Sequence, residues 1–221
     1  MKNSLENIEP DSINLDKEPF DSAQSEREIR NTSVWLERKS FRIVLVSTFA
    51  ALAVVLGYLL AYLPNIELFT LTIFLSGFII GKRDGMIVGI SSSFIFCFFN
   101  PWGASPLPLL AFQLTHYTLV GLLGALAHQL LRNKKFFTPD EDLYKIPVMV
   151  IFGIIGGMIT ISFQIFSTLV DAISFYGTIN SFLPRFIAGI IPFTITHIIG
   201  NTLGFIFILP ALIQLVHKML Y

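Results

Sequence analysis

The sequence has one cysteine, Cys97, in 221 residues. That excludes an internal disulfide and any site built from several thiolates. Charge is also scarce. Asp, Glu, Lys and Arg make up 14% of the chain, against about 25% in ordinary soluble domains. More than half of those charges fall in the first 42 residues. The 15 Lys plus Arg are balanced by 15 Asp plus Glu, and no basic stripe exists that could follow a nucleic-acid backbone. The chain has no Walker A phosphate loop, no His-Glu-x-x-His and no Gly-x-Ser-x-Gly. ATP hydrolysis by a P-loop, zinc proteolysis and nucleophile-elbow hydrolysis therefore have no basis in it. Neither a metal nor a cofactor is expected, and the chain is not read as an enzyme. Residues 1–33 are polar and acidic rather than a basic start followed by an apolar run, so no cleavable signal peptide is expected.

What remains is apolar. Hydrophobic residues are 53% of the chain and mean hydropathy is +0.70. Six apolar blocks predict helices over residues 41–63, 67–81, 86–99, 107–131, 146–170 and 183–216. The fold class that follows is an all-α membrane protein with six transmembrane helices. The interruptions carry the orientation. Of the 15 Lys plus Arg, all but Arg185 lie in the tail or in segments that would share one side. Lys and Arg are retained on the cytoplasmic side, so both termini are expected there. The second and third blocks are short, and a re-entrant hairpin with four full spans is the other topology considered. It would bring Lys82 and Arg83 to mid-membrane depth, at about 2.5–3.5 kcal/mol for one such charge. Two regions result. Residues 1–40 read as a disordered acidic cytoplasmic tail with a basic end near the membrane, and residues 41–218 as the transmembrane domain. The expected location is the cell membrane, crossed several times.

Ala53, Gly57 and Ala61 follow one another at i+4 in the first predicted helix. Small residues at that spacing let helix backbones approach closely in lipid. The stripe has two readings, an internal contact or a docking face for another membrane subunit. The remaining polar residues gather in the outward half. Gln113, His116 and Tyr117 share a face of the fourth helix, and Gln164 and Asp171 lie toward the outer end of the fifth. Arg185, Thr194, His197 and Asn201 descend the sixth. Glu67 opens the second helix, and Asn100 and Trp102 follow the third. Unpaired polar groups in hydrocarbon cost several kcal/mol, so these residues must face one another, water or a ligand. Together they outline an outward-facing cavity. Tyr117, Trp102 and Tyr176 could stack on a flat ring. The uncharged segment Asn100-Pro-Trp-Gly-Ala-Ser-Pro106 has the rigidity of a lid or wall, since prolines reduce the entropy lost on binding.

Six apolar helices in about 180 residues, Ala53-x-x-x-Gly57, Glu67-Leu with Gly77, Gly81, Gly85 and Gly89, the Asn100–Pro106 segment and the ending His197–Asn201–Pro210 form a combined pattern. On it, the chain resembles the substrate-binding S components of energy-coupling factor (ECF) vitamin transporters. The family's first-helix motif is Ala-x-x-x-Ala, where this chain has Gly57, and the acidic tail is longer than the family leads one to expect. The resemblance implies a monomeric six-helix fold with a vitamin-sized ligand near the outer face. It also implies a coupling membrane subunit and two cytoplasmic ATPase subunits as partners. The other classes considered are a self-sufficient small-solute transporter or channel, and a membrane enzyme.

Overall fold

The computed structural model describes residues 34–63 and 67–220. The expectations for the tail at residues 1–33 and for a break at Pro64-Asn65 lie outside the described residues. A short turn of helix, Val34–Glu37, precedes five helices: α1 (Lys39–Leu60), α2 (Phe69–Ile80), α3 (Lys82–Phe98), α4 (Leu107–Leu131) and α5 (Ile146–Tyr176). The last stretch of chain is α6 (Phe182–Gly189), α7 (Thr196–Leu203) and α8 (Leu209–Leu220). They are joined end to end by π-helical segments at Ile190–Ile195 and Gly204–Ile208. Four stretches are long and apolar enough to cross a membrane: α1, α4, α5 and Phe193–Leu220.

The two short helices differ from those four. α2 has 12 residues, about 18 Å at 1.5 Å per residue, and a hydrocarbon core is about 30 Å thick. It is also apolar on every face, and 11 of its 12 residues are buried. A helix apolar all round belongs in a protein interior, and α2 is the central post of the bundle. Gly81 turns the chain from α2 directly into α3 with φ 93°, a region that favours glycine. Asp84 in the first turn of α3 accepts from Arg42 Nε at 2.7 Å, which sets the Gly81 turn level with the start of α1. At the other end, Tyr58 donates to the carbonyls of Ile95 and Phe99 at 3.1 and 3.2 Å. So α1 and α3 run parallel and are pinned at both ends.

Near the Gly81 turn, helices α2, α3 and α4 touch through their backbones. A methyl group at Gly77 would overlap the carbonyl oxygen of Gly121, and one at Gly121 would overlap that of Gly85. Association in an apolar medium depends on such close approach. Ala53 is 0% exposed, and Gly57 is buried with Phe96 and Phe69 where its side chain would be. These two positions of the expected docking stripe are therefore occupied by contacts inside this chain. Only Ala61, at the helix end, is partly exposed. The solvent- or lipid-facing side of α1 is instead Ile43, Val44, Val55 and Leu59.

Several boundaries and one helix interior differ from the sequence reading. α1 ends three residues before 63, and α3 starts at Lys82, four residues before 86, so the basic turn is its first turn. α5 runs six residues past Val170, because Asp171 does not end it. Its carboxylate pairs with Arg185 across the turn, and Gly177 in the left-handed conformation closes the helix. The final helix, expected as one run over residues 183–216, contains two π segments. Pro192 has no backbone N–H, and π geometry marks places where the regular ladder is broken. The loop between α4 and α5 docks on α8 and on the second π segment. Tyr144 donates to the Phe207 carbonyl at 2.6 Å, Gln214 to the carbonyl of Glu141, and His217 lies 3.1 Å from Asp140.

Candidate functional site

At the Glu67 end of the bundle the helices separate. Phe69, Tyr117 and Phe96 hold them apart, with Phe69 stacked on Phe96 at 4.7 Å and edge-on to Tyr117 at 4.8 Å. Aromatic side chains between backbones leave space where glycines would close it. The space is a cavity of about 200 Å³ lined from α1, α3, the 100–105 loop, α4, α5 and α7. Its polar wall is Glu67, Asn100, Ser105, Gln113, Tyr117 and His197.

Glu67 lies just before α2, and Oε1 accepts from Thr70 Oγ1 at 2.5 Å and faces His197 Nε2 at 3.2 Å. The two side chains are 15% and 6% exposed. A proton on His197 Nε2 satisfies both partners, which leaves Nδ1 as the second polar atom of the ring. That Nδ1 is buried and has no partner, as are Gln113 Oε1 and Asn201 Oδ1. Buried polar atoms are normally satisfied, so three orphans at one end of a bundle are a departure. Asn201 sits one turn beyond His197 and donates to Thr160 Oγ1 at 3.0 Å. Both residues are on α7, the eight-residue piece bracketed by the π segments. π-helical insertions recur at functional sites because they re-aim the side chains beside them.

A loop borders the cavity. Asn100 Oδ1 accepts the Trp102 N–H at 2.9 Å, and the Ser105 N–H reaches back to the Cys97 carbonyl at 3.0 Å. The Trp102 indole donates to the Ala61 carbonyl at 3.1 Å and lies edge-on to Tyr62 at 5.9 Å. The loop is thus tied to the end of α1 by one hydrogen bond and one ring contact, while 72% of Trp102 remains exposed.

Of the expected site residues, Glu67, Asn100, Trp102, Gln113, Tyr117 and His197 come together around this space, with Asn201 directly behind His197. The others do not. His116 packs among Phe112, Tyr117 and Phe163 beside the cavity. Gln164 is on α5, where its carbonyl accepts from Thr168 at 2.7 Å. Asp171, Arg185 and Tyr176 form a separate cluster at the rim, with the guanidinium paired to the carboxylate and 4.5 Å above the Tyr176 ring. Thr194 falls inside the first π segment. The i→i+5 register there breaks the single face that its spacing to His197 predicts. Residues the sequence reading passed over are Phe96 and Phe163 in the lining, and Thr70 and Thr160 as partners of Glu67 and Asn201. Thr70 was findable, since it stands three residues after Glu67 at a helix start, where a local side-chain bond is common.

Among the described residues no group of three His, Cys, Asp or Glu side chains converges for a metal. No protein-family model, no curated protein and no solved structure matches the chain.

Proposed function

We propose that this chain captures a small molecule at the outer face of the cell membrane, as the substrate-binding subunit of an ATP-driven importer of the ECF type. The observation that carries the ligand reading is the Glu67–His197 cavity. A carboxylate and an imidazole are kept together in an apolar bundle, with buried polar atoms beside them that nothing in the chain satisfies. An intramembrane ionisable pair is costly to build and marks a substrate or ion site. The pocket is a half-open cleft between helices, bordered by the Asn100–Ser105 loop, and small-molecule sites are concave in this way.

The importer reading rests on the resemblance of the Ala53–Gly57, Glu67–Gly89, Asn100–Pro106 and His197–Pro210 segments to ECF S components. In it, the six apolar blocks of the sequence form the membrane domain, with the short α2 held inside the bundle and both termini in the cytoplasm. The Arg42–Asp84 pair supports this arrangement, because it holds the basic Lys82-Arg83 turn level with the start of α1 rather than halfway along it. The ligand is a vitamin or similar micronutrient, and the partners are a coupling membrane subunit and two cytoplasmic ATPases.

The test is purification of the full chain from cells grown in rich medium, followed by mass spectrometry of released small molecules. One species at near-stoichiometric amount, lost in His197→Ala, is the expected result. An empty protein that also binds nothing from a vitamin panel would defeat ligand capture. Co-purification of ATPase subunits tests the importer reading separately. Reporter fusions after residues 84 and 135 should both report cytoplasm, and an external signal at either would reject the proposed arrangement.

A further inference from the structure

Resting on the ligand-capture reading, we infer the chemical class of the ligand: a small, flat, neutral-to-cationic molecule that donates hydrogen bonds, such as an amino- or amidino-substituted ring. Carboxylates and phosphates are excluded by the same wall.

The lining holds donors, on Asn100, Ser105, Gln113 and Tyr117, but its buried polar atoms without a partner among the described residues are acceptors. Glu67 presents a carboxylate, which accepts about four hydrogen bonds, and both of its close contacts fall on one oxygen, Oε1. Gln113 Oε1 is buried with no donor. With its proton on Nε2 toward Glu67, His197 offers Nδ1 as an acceptor, and that atom too is without a partner. A ligand rich in N–H groups satisfies all three at once. An anionic ligand satisfies none of them and adds a second negative charge beside Glu67. Among the described residues no Lys or Arg lines the cavity to offset it. Arg185, outside the lining, is paired with Asp171 and seated on Tyr176, with its Nε buried and without a partner among the described residues.

The apolar lining sets shape. Phe96, Tyr117, Phe163 and Trp102 present ring faces and edges to the space, and such faces attract cations and flat rings. Size follows from volume. The cavity holds about 200 Å³, below the roughly 300–1,000 Å³ of drug-sized sites.

Three probes of one shape separate the classes: benzamidine (cationic, donors only), benzamide (neutral) and benzoate (anionic, acceptors only). Affinities are measured calorimetrically on the full chain in nanodiscs at neutral pH. Benzamidine should bind most tightly and benzoate at least about tenfold more weakly, the size of a like-charge penalty in a partly buried site. Glu67→Gln should remove most of the benzamidine advantage while leaving benzamide within a few-fold. Gln113→Leu, which leaves the Glu67–His197 hydrogen bond intact, should weaken both benzamidine and benzamide, and it serves if Glu67→Gln fails to fold. Benzoate binding as tightly as benzamidine overturns the donor class and leaves ligand capture standing. Benzamidine binding that is unchanged in both variants also overturns it, because the probe would then sit elsewhere. No binding by any of the three, in a protein that does release a bound small molecule, overturns the class alone. No binding and no released molecule overturns the class and ligand capture together.

Discussion

The same three helices, α2, α3 and α4, meet in opposite ways at their two ends. Near the Gly81 turn, glycine faces glycine and backbone atoms touch, so no side chain fits between them. At the Glu67 end, Phe69, Phe96 and Tyr117 stand between the helices, and a cavity opens behind them. Close backbone contact maximises dispersion and leaves nothing to rearrange. Aromatic spacers give up some of that contact and create a place for a guest. One end of the bundle holds the fold together, and the other end is free to carry a site. The polar groups follow the same division. Polar pairs at the Gly81 end such as Arg42–Asp84 are closed, whereas at the Glu67 end atoms of His197, Gln113 and Asn201 have no hydrogen-bond partner among the described residues.

Breaking the glycine contact should have the largest effect. Gly77→Leu drives a side chain into the Gly121 backbone, which cannot yield. We expect a loss above about 4 kcal/mol, seen as failure to recover a monodisperse peak by size-exclusion chromatography. Gly57→Leu meets only the rings of Phe96 and Phe69, which can turn, so it should fold with a lowered Tm. Equal behaviour of the two variants would erase the contrast between the ends.

Next comes the buried pair. Glu67→Ala leaves the buried His197 Nε2–H without its acceptor, and an unsatisfied buried donor costs about 1–3 kcal/mol. The double variant Glu67→Ala/His197→Ala should lose less than the sum of the single losses, because the second removal takes away an already orphaned group. Thermal unfolding of the four proteins measures this, and strict additivity would mean the two groups do not interact.

Asn201 and Gln113 then sharpen the distinction between scaffold and site. Asn201→Ala deletes a satisfied bond to Thr160 and should cost about 1–3 kcal/mol of stability. Gln113→Ala removes an atom with no partner and should cost less than about 0.5 kcal/mol, if anything. Equal losses in denaturant titrations would remove Gln113 from the set of groups waiting for a ligand.

The smallest effect is expected at the rim. Arg185 and Asp171 are 35% and 23% exposed, and exposed pairs contribute about 0–1 kcal/mol. Asp171→Asn should therefore shift Tm by little more than experimental scatter. A large drop would make the rim pair part of the fold rather than an ornament on the end of α5.

Much of this architecture was legible in the chain. Apolar runs and their charged breaks mark the helices, since both are local properties of composition. Gly77, Gly81, Gly85 and Gly89 announce a close-packed turn. Glu67 and His197 stand out because ionisable groups are rare in such a sequence. What the sequence could not assign was which polar residue meets which. Glu67 and His197 are 130 positions apart, and no local pattern links them. The i, i+3, i+7 reading of Thr194, His197 and Asn201 assumed one unbroken α-helix, and the π segments invalidated it for Thr194. Asp171 reads as a helix end from sequence, because an isolated charge is costly in lipid. Only the approach of Arg185 lets α5 continue to Tyr176. Ala53 and Gly57 allow a tight contact from their size alone, but whether the contact is internal or external is a property of the assembled bundle. Composition determined that the chain forms apolar helices, where they break and which groups would be expensive to bury. Tertiary packing decided which of those groups share a cavity, because pairing depends on distances between helices that no residue encodes by itself.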